Sequence, residues 1–406
     1  MVDSNENNPD WRSSVDVLVP EANALGMIGV IRSLGRAGYR VHACASRADA
    51  LGLQSNYAAA PVQCPAYDDS GFVEWLRNYV GAQGIRVIVP SEGFLHAIRD
   101  VFEEFSPLMP LSNDPDIVYR AFSKIDVEES LRAAPGLGYD EHSPPALVVR
   151  RDAARPTREQ IEALPLPIYI KADAGYCTTG DDALLRRITA HDEVMPTLDR
   201  ELENYQAILV QGFVPGVKAA AAFCLQDGEV LAKTEVLGLR TNPHTGGMMS
   251  LRQTTQNTPL ADAALAWLQH LEWEGVAMVE CKSEPGTDRF WFIELNPRYW
   301  GYLHLDLFAG VDVPRIQVDH FLGHGDNNLS VQKPGVIARH TLPGDAGYLL
   351  SLLRDSDVPL LSKITGSIRF AVDFLRPDIH ADLLFPGDRK LYWKQWAQYL
   401  KALGRH

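Results

Sequence analysis

The sequence predicts an α/β layer followed by an α+β body, and two features carry that prediction. From Val15 onward, short apolar runs alternate with helical patterns, as in a doubly wound, mostly parallel sheet. Far downstream, Val276–Glu280 and Phe290–Arg298 are strand-like segments joined by Ser283-Glu-Pro-Gly-Thr-Asp288. That linker is turn chemistry, so the two segments are expected to pair as an antiparallel hairpin.

The elements follow in order. Val15–Val19 is a short buried strand, Ala22–Ala37 a helix rich in Gly and Leu, and Tyr39–Ala43 the next strand. A helix near Phe72–Gly81 and a strand at Arg86–Val89 continue the alternation. In such sheets ligand loops sit at strand carboxyl ends, which singles out Pro90-Ser-Glu-Gly93. The turn after the first strand, Glu21–Gly26, lacks the clustered glycines of a dinucleotide fingerprint. A helical segment around Asp114–Ala134 contains Lys124, and Pro- and Gly-bearing connections lead on to Pro167. Leu166–Lys171 is a strand ending in a lysine, followed by a small-residue loop, Ala172–Gly180, whose backbone N–H groups can fold over phosphate oxygens. Ala207–Gln211 is a strand that runs into the turn Gly212–Gly216. Between Leu237 and Arg252, Arg240, His244 and Arg252 gather around Gly246 and Gly247, and a loop that binds an anion is expected there. Beyond Gly335 come mixed helices and short strands. The last is an aromatic helix, Tyr392–Leu400, whose Trp and Tyr spacing fits packing onto the body of the protein or onto the second subunit of a homodimer.

The hairpin carries the chemistry. Side chains alternate along a strand, so Glu294 and Asn296 share one face while Trp291, Ile293 and Leu295 take the other. A hairpin centred near Thr287 sets Glu280 opposite Glu294. Facing carboxylates among apolar strands repel unless a proton or a cation lies between them. Two Glu and one Asn are oxygen donors only, which describes a hard-cation site for Mg²⁺ or Mn²⁺. Arg298, just beyond, adds a guanidinium fork suited to phosphoryl or carboxylate oxygens.

Glu280 followed by Glu294-Leu-Asn-Pro-Arg298 resembles the metal-binding signature of the ATP-grasp superfamily, especially its carbamoyl-phosphate-synthetase-like branch of carboxylate–amine ligases. The stretch Tyr299–Pro314 looks like the helix that follows the signature. The resemblance implies an N-terminal pre-ATP-grasp domain at 1–112 and an ATP-grasp domain at 113–330. The latter divides into a lid subdomain at about 135–212 and a metal-bearing core at about 213–330, with a C-terminal segment, 331–406, packed on the core. It further implies that ATP is bound with Mg²⁺ held by Glu280, Glu294 and Asn296, that Lys124 and Lys171 reach the phosphates, and that Arg298 holds the transferring group. The segment Gln211–Gly216 resembles the hinge that grips adenine through backbone, here the Gly212 carbonyl and the Val214 amide. The chain departs from the family by having Gly212 and Lys218 where acidic residues are common, and by replacing most glycines of the loop after Lys171. Related ligases present the acyl phosphate and acceptor near Arg240, His244 and Arg252, with His244 as a donor.

The implied reaction activates a small carboxylic acid as an acyl phosphate and couples it to an amine. The alternatives are carboxylation through carboxyphosphate and nucleotide binding without turnover. Composition agrees with a soluble globular protein: 406 residues, 46% hydrophobic and 22% charged. The formal charge of −14 argues against nucleic acid and against an anionic membrane as partners. Five scattered cysteines without metal spacing read as reduced thiols. With a polar N-terminus and no long apolar run, a cytoplasmic protein is expected.

Overall fold

The computed structural model describes residues 11–173, 178, 183–326 and 328–403. Its first sheet contains β1 (Asp16–Val19), β2 (Arg40–Ala45), β3 (Val62–Gln63) and β4 (Val87–Ile88) in the order β3-β2-β1-β4, with parallel pairing throughout. This is the doubly wound layer expected from the alternation. The order in which strands are added reverses between β1 and β4, and a ligand crevice belongs at such a switch point.

A second, antiparallel sheet contains β5 (Ala146–Arg150), β6 (Ile168–Ala172), β7 (Leu184–Ile188) and β8 (Ala207–Gln211), ordered β5-β8-β6-β7. Its core, including Ile168, Ile170, Leu198, Ile208 and Val210, is separate from that of the other sheets. The third sheet is built on β9 (Val217–Gln226), β10 (Glu229–Asn242), β11 (Met248–Thr254), β12 (Gly275–Ser283) and β13 (Phe290–Asn296). The short strands β14 (Ser330–Val331), β15 (Ile337–Arg339) and β16 (Ile379–Ala381) extend it, giving the order β13-β12-β9-β10-β11-β15-β16 with β14 beside β10.

Glycine lets the first layer seat on the third sheet's helices. In the helix Leu25–Ala37, a Cβ on Gly26 would lie 2.7 Å from the Trp300 carbonyl oxygen, and one on Gly29 would lie 3.0 Å from the Leu303 side chain. The same helix buries Arg32, which donates to Asp388 at 3.0 Å and to the carbonyls of Asp382 and Leu383, and lies 2.9 Å from His304. The C-terminal segment is thereby fixed from inside, because a buried guanidinium stripped of these acceptors is costly. The final helix, Lys390–Leu403, packs Leu391 and Tyr392 against Ile28 and Leu51.

Three local expectations need correction. The segment Asp114–Ala134 is two helices, Pro115–Ala121 and Lys124–Arg132, because Ser123 breaks out to cap the second by accepting from Asp126 N–H. The segment Leu237–Arg252 is no loop: Arg240 lies in β10 and Arg252 in β11, and the turn between them uses Gly246 and Gly247 at φ 133° and 137°. Alternation on β13 is interrupted, so that Phe290, Phe292 and Leu295 enter the core while Trp291 and Ile293 are half-buried. The loop Ala172–Gly180 lies mostly outside the described residues. Cys44, Cys64, Cys224 and Cys281 are free and buried, and Cys177 is outside the described residues. Among the described residues no helix is long and apolar enough to cross a membrane.

Candidate functional site

β12 and β13 place Glu280 directly across from Glu294, flanked by the pairs Val279↔Leu295 and Met278↔Asn296. The next pair is Cys281↔Phe292, which leaves Ile293 as a bulged residue without a partner. Val279, Cys281, Phe292 and Leu295 face the core around Trp267. Glu280, Glu294 and Asn296 are thereby turned to the opposite face. Glu280 is buried, and burial pushes its carboxyl up. Glu294 meets the same desolvation, but Lys124, Lys171 and Lys218 outweigh it and hold its carboxyl below the usual range.

Those lysines converge from separate elements. Lys171, at the buried end of β6, donates to Gln211 Oε1 at 2.6 Å, and burial lowers its pKa. Lys124 opens its helix 3.8 Å from Glu294 Oε2 and 3.8 Å from Asp173 Oδ1. Asp173 in turn accepts from Ser123 Oγ at 3.2 Å, linking the end of β6 to that helix. Lys218, on β9, hydrogen-bonds to Glu280. A small cavity opens between Lys124, Glu128, Leu209 and Glu294.

Arg298 follows as the chain leaves β13. Its Nη2 donates to Asn296 Oδ1 at 2.9 Å and its Nε to Glu92 at 2.5 Å, while the Asn296 amide donates to Glu294 at 3.4 Å. Pro90–Gly93 is not the open loop expected after β4: Ser91 caps a helix, Glu92–Ala97, by accepting from Phe94 N–H, and Glu92 in its first turn joins the end of the first sheet to the carboxylate strands in one network. Beside it lies Glu21, two residues past the end of β1 and at φ 50°, and burial raises its carboxyl.

At the hinge, the Gly212 N–H donates to the Pro145 carbonyl and the Phe213 N–H to the Pro165 carbonyl, both at 2.8 Å. Neither the Gly212 carbonyl nor the Val214 N–H is occupied by these bonds. The glycine is required: a Cβ at 212 would lie 2.7 Å from the Pro165 ring. An acidic side chain has no room at that position. Lys282 donates to the Val214 carbonyl at 2.9 Å and lies over the Phe213 ring at 4.4 Å, bracing the turn against β12.

The structure gathers Lys124, Lys171, Gln211, Glu280, Glu294, Asn296 and Arg298 in one neighbourhood. It pairs the three other predicted cations with acids of the C-terminal segment. Arg252, 1% exposed, donates to both oxygens of Asp382 at 2.6 Å. Arg240 lies 2.6 Å from Asp373 and 3.2 Å from Asp345. His244 lies 3.0 Å from Asp355 and 3.1 Å from Ser351. Sequence reasoning named none of these acids, which lie about a hundred residues downstream. It also missed Glu92, although the segment Pro90–Gly93 that holds it was singled out.

Comparison with known proteins fixes the fold. Residues 207–341 match the family described as ATP-grasp in the biosynthetic pathway with Ter operon. No curated protein matches the sequence. The biotin carboxylase–β-γ-ATP complex from Campylobacter jejuni superposes with a TM-score of 0.60 at 13% identity, over 79% of this chain and 74% of that one. An L-amino acid ligase from Bacillus licheniformis gives 0.55 at 11% identity, over 79% and 77%. Pyruvate carboxylase from Rhizobium etli gives 0.55 at 13% identity over 77% of this chain, which spans 28% of that longer one. The chain has the ATP-grasp fold.

Proposed function

We propose that the protein is an ATP-dependent, ADP-forming ligase that activates a small carboxylic acid and couples it to an amine. The observation that carries this reading is the Glu280–Glu294 pair, ringed by Lys124, Lys171 and Lys218 and continued through Asn296 to Arg298. On this reading, residues 113–330 bind the nucleotide between the sheet of β5–β8 and the β9–β13 sheet, and 1–112 contribute the substrate crevice at Glu92. The Gly212 carbonyl and Val214 N–H offer an acceptor and a donor to adenine, and Lys171 and Lys124 offer fixed positive charge to the phosphates.

Glu280, Glu294 and Asn296 present only hard oxygen donors, which fits Mg²⁺ or Mn²⁺. Among the described residues no three His, Cys, Asp or Glu side chains form a cage. That also fits, because Mg²⁺ is commonly held by one or two carboxylates together with phosphate oxygens. Bound there, the ion neutralises phosphate charge.

A substrate carboxylate oxygen attacks the γ-phosphorus, the bond from that phosphorus to the β,γ-bridging oxygen breaks, and ADP departs. An amine then attacks the acyl carbon, loses a proton and expels phosphate, leaving an amide. Arg298, oriented by Asn296 and Glu92, stabilises charge on the transferring phosphoryl group. Lys171, locked by Gln211, aligns the phosphates.

An ADP-release screen over pools of amino acids and small carboxylic acids, with mass spectrometry of products, tests the proposal. Turnover that needs an acid and an amine and yields an amide supports it. Bicarbonate dependence with a single acceptor points instead to carboxylation, and tight ATP binding without turnover to a non-catalytic role.

A further inference from the structure

The two glutamates pose a charge problem that the chain solves with its own lysine. Strand register sets Ala220 of β9 opposite Glu280, and Lys218 opposite Lys282. Two lysines directly across a ladder repel. They separate by leaning in opposite directions: Lys282 goes to the Val214 carbonyl and the Phe213 ring, and Lys218 goes to Glu280. The Lys218–Glu280 contact is sheltered, with side chains 18% and 10% exposed. The other cations are held differently, Lys171 by Gln211 at 2.6 Å and Lys124 at 3.8 Å from both Glu294 and Asp173. Among the described residues, Lys218 is the cation hydrogen-bonded to the glutamate pair.

We infer that Lys218 is the built-in counter-ion of Glu280, and that a divalent cation gains this glutamate only by displacing the lysine, so that the cation loads together with the nucleotide and not before it. The inference rests on Glu280 and Glu294 being a cation seat. A free divalent ion would have to break a sheltered ion pair and leave an ammonium beside itself. A nucleotide removes that obstacle, because its phosphates supply further oxygen ligands and a new acceptor for the released ammonium. Lys218 is thus a positioning residue, acting through Glu280.

Mn²⁺ titration of the full chain, followed by the loss of free-ion EPR signal, tests this with and without a non-hydrolysable ATP analogue. Wild type should bind Mn²⁺ only with the analogue. Lys218→Met, and Lys218→Gln as the variant that keeps a hydrogen-bond donor for Glu280, should bind Mn²⁺ without it, roughly tenfold or more tighter than wild type. Lys218→Arg should behave as wild type. Mn²⁺ alone should raise the melting temperature of Lys218→Gln and leave that of wild type unchanged. Analogue-dependent binding in wild type, with no gain in Lys218→Met or Lys218→Gln, overturns the role of the lysine alone. No Mn²⁺ binding by any form, with analogue included, overturns the cation seat and this inference with it.

Discussion

Glu280 and Glu294 face each other because the chain inserts one extra residue, Ile293, into β13. Strict alternation would put Phe290, Phe292, Glu294 and Asn296 on a single face. The bulge reverses that face between Phe292 and Glu294, so the aromatics stay in the core and the carboxylate leaves it. The two glutamates then meet as cross-strand partners in unlike surroundings, Glu280 more deeply buried and hydrogen-bonded to Lys218, Glu294 more open and amid Lys124, Lys171 and Lys218.

That asymmetry gives opposite stability effects for the same substitution. Like-charge repulsion taken alone predicts that neutralising either glutamate stabilises the fold. Glu280, pushed up by burial, should follow that rule, so Glu280→Gln should raise the melting temperature at neutral pH. Glu294, held low by Lys124, Lys171 and Lys218, contributes stability in its charged form, so Glu294→Gln should lower it. Both variants should lose ADP formation at saturating Mg²⁺. Thermal melts and an ADP assay decide; equal shifts of one sign would mean that the lysines do not discriminate between the two.

Nucleotide affinity separates Lys171 from Gln211. Gln211→Ala deletes the 2.6 Å acceptor of Lys171 but leaves the lysine and the hinge backbone in place, so ATP binding should weaken by about 1 kcal/mol, the net worth of one hydrogen bond. Lys171→Ala removes the charge itself and should weaken binding far more. Calorimetric affinities for the two variants check this ordering. Equal losses would mean that the nucleotide does not lie along β6 and β8.

Much of this was legible in the sequence for reasons of local chemistry. The doubly wound layer shows as apolar runs separated by helical patterns. The hairpin follows from turn residues and the spacing of two strands, but its turn-side register, Ser283↔Phe290 to Cys281↔Phe292, would set Glu280 opposite Ile293 without the bulge. The bulge at Ile293 was not legible, since it depends on which aromatics the core accepts. Nor were the partners of Arg240, His244 and Arg252: three cations close in sequence look like one anion site when the acids that meet them lie near Asp345, Asp355, Asp373 and Asp382. Steric exclusion at Gly212 likewise depends on Pro165, distant in sequence.

Asp306 should give the fold a titration near neutrality. It is fully buried, accepts from Trp300 Nε1 at 2.6 Å, and burial raises its pKa to about 7. Between the unfolded value near 4 and that pKa, the native state binds more protons than the unfolded chain, so stability falls as pH rises through this window and levels off above it. Asp306→Asn keeps an acceptor for Trp300 and removes the charge. The variant should lack that part of the slope and be the more stable form at pH 8, by up to about 4 kcal/mol at 1.36 kcal/mol per pKa unit. Denaturant melts at pH 5 and pH 8 measure it, and parallel pH profiles for the two proteins would refute the assignment.

Arg298 and Arg252 are both arginines of the third sheet region, and their surroundings predict different failures. Arg298 is partly exposed and bonded to Asn296 and Glu92 beside the carboxylates, so Arg298→Ala should leave the fold intact and lower kcat roughly a hundredfold or more, with little change in the KM for ATP. Arg252 is enclosed with Asp382, and Arg252→Ala leaves that carboxylate buried without its partner, a loss of about 3–5 kcal/mol. Asp382→Asn in the same chain should restore part of the stability, because it removes the orphaned charge. Melting curves of the single and double variants, with kcat normalised to folded protein, separate the two roles. If Arg252→Ala melts like wild type and raises the KM of the acid substrate, the ion pair is dispensable and Arg252 binds the anion that its neighbours in sequence first pointed to.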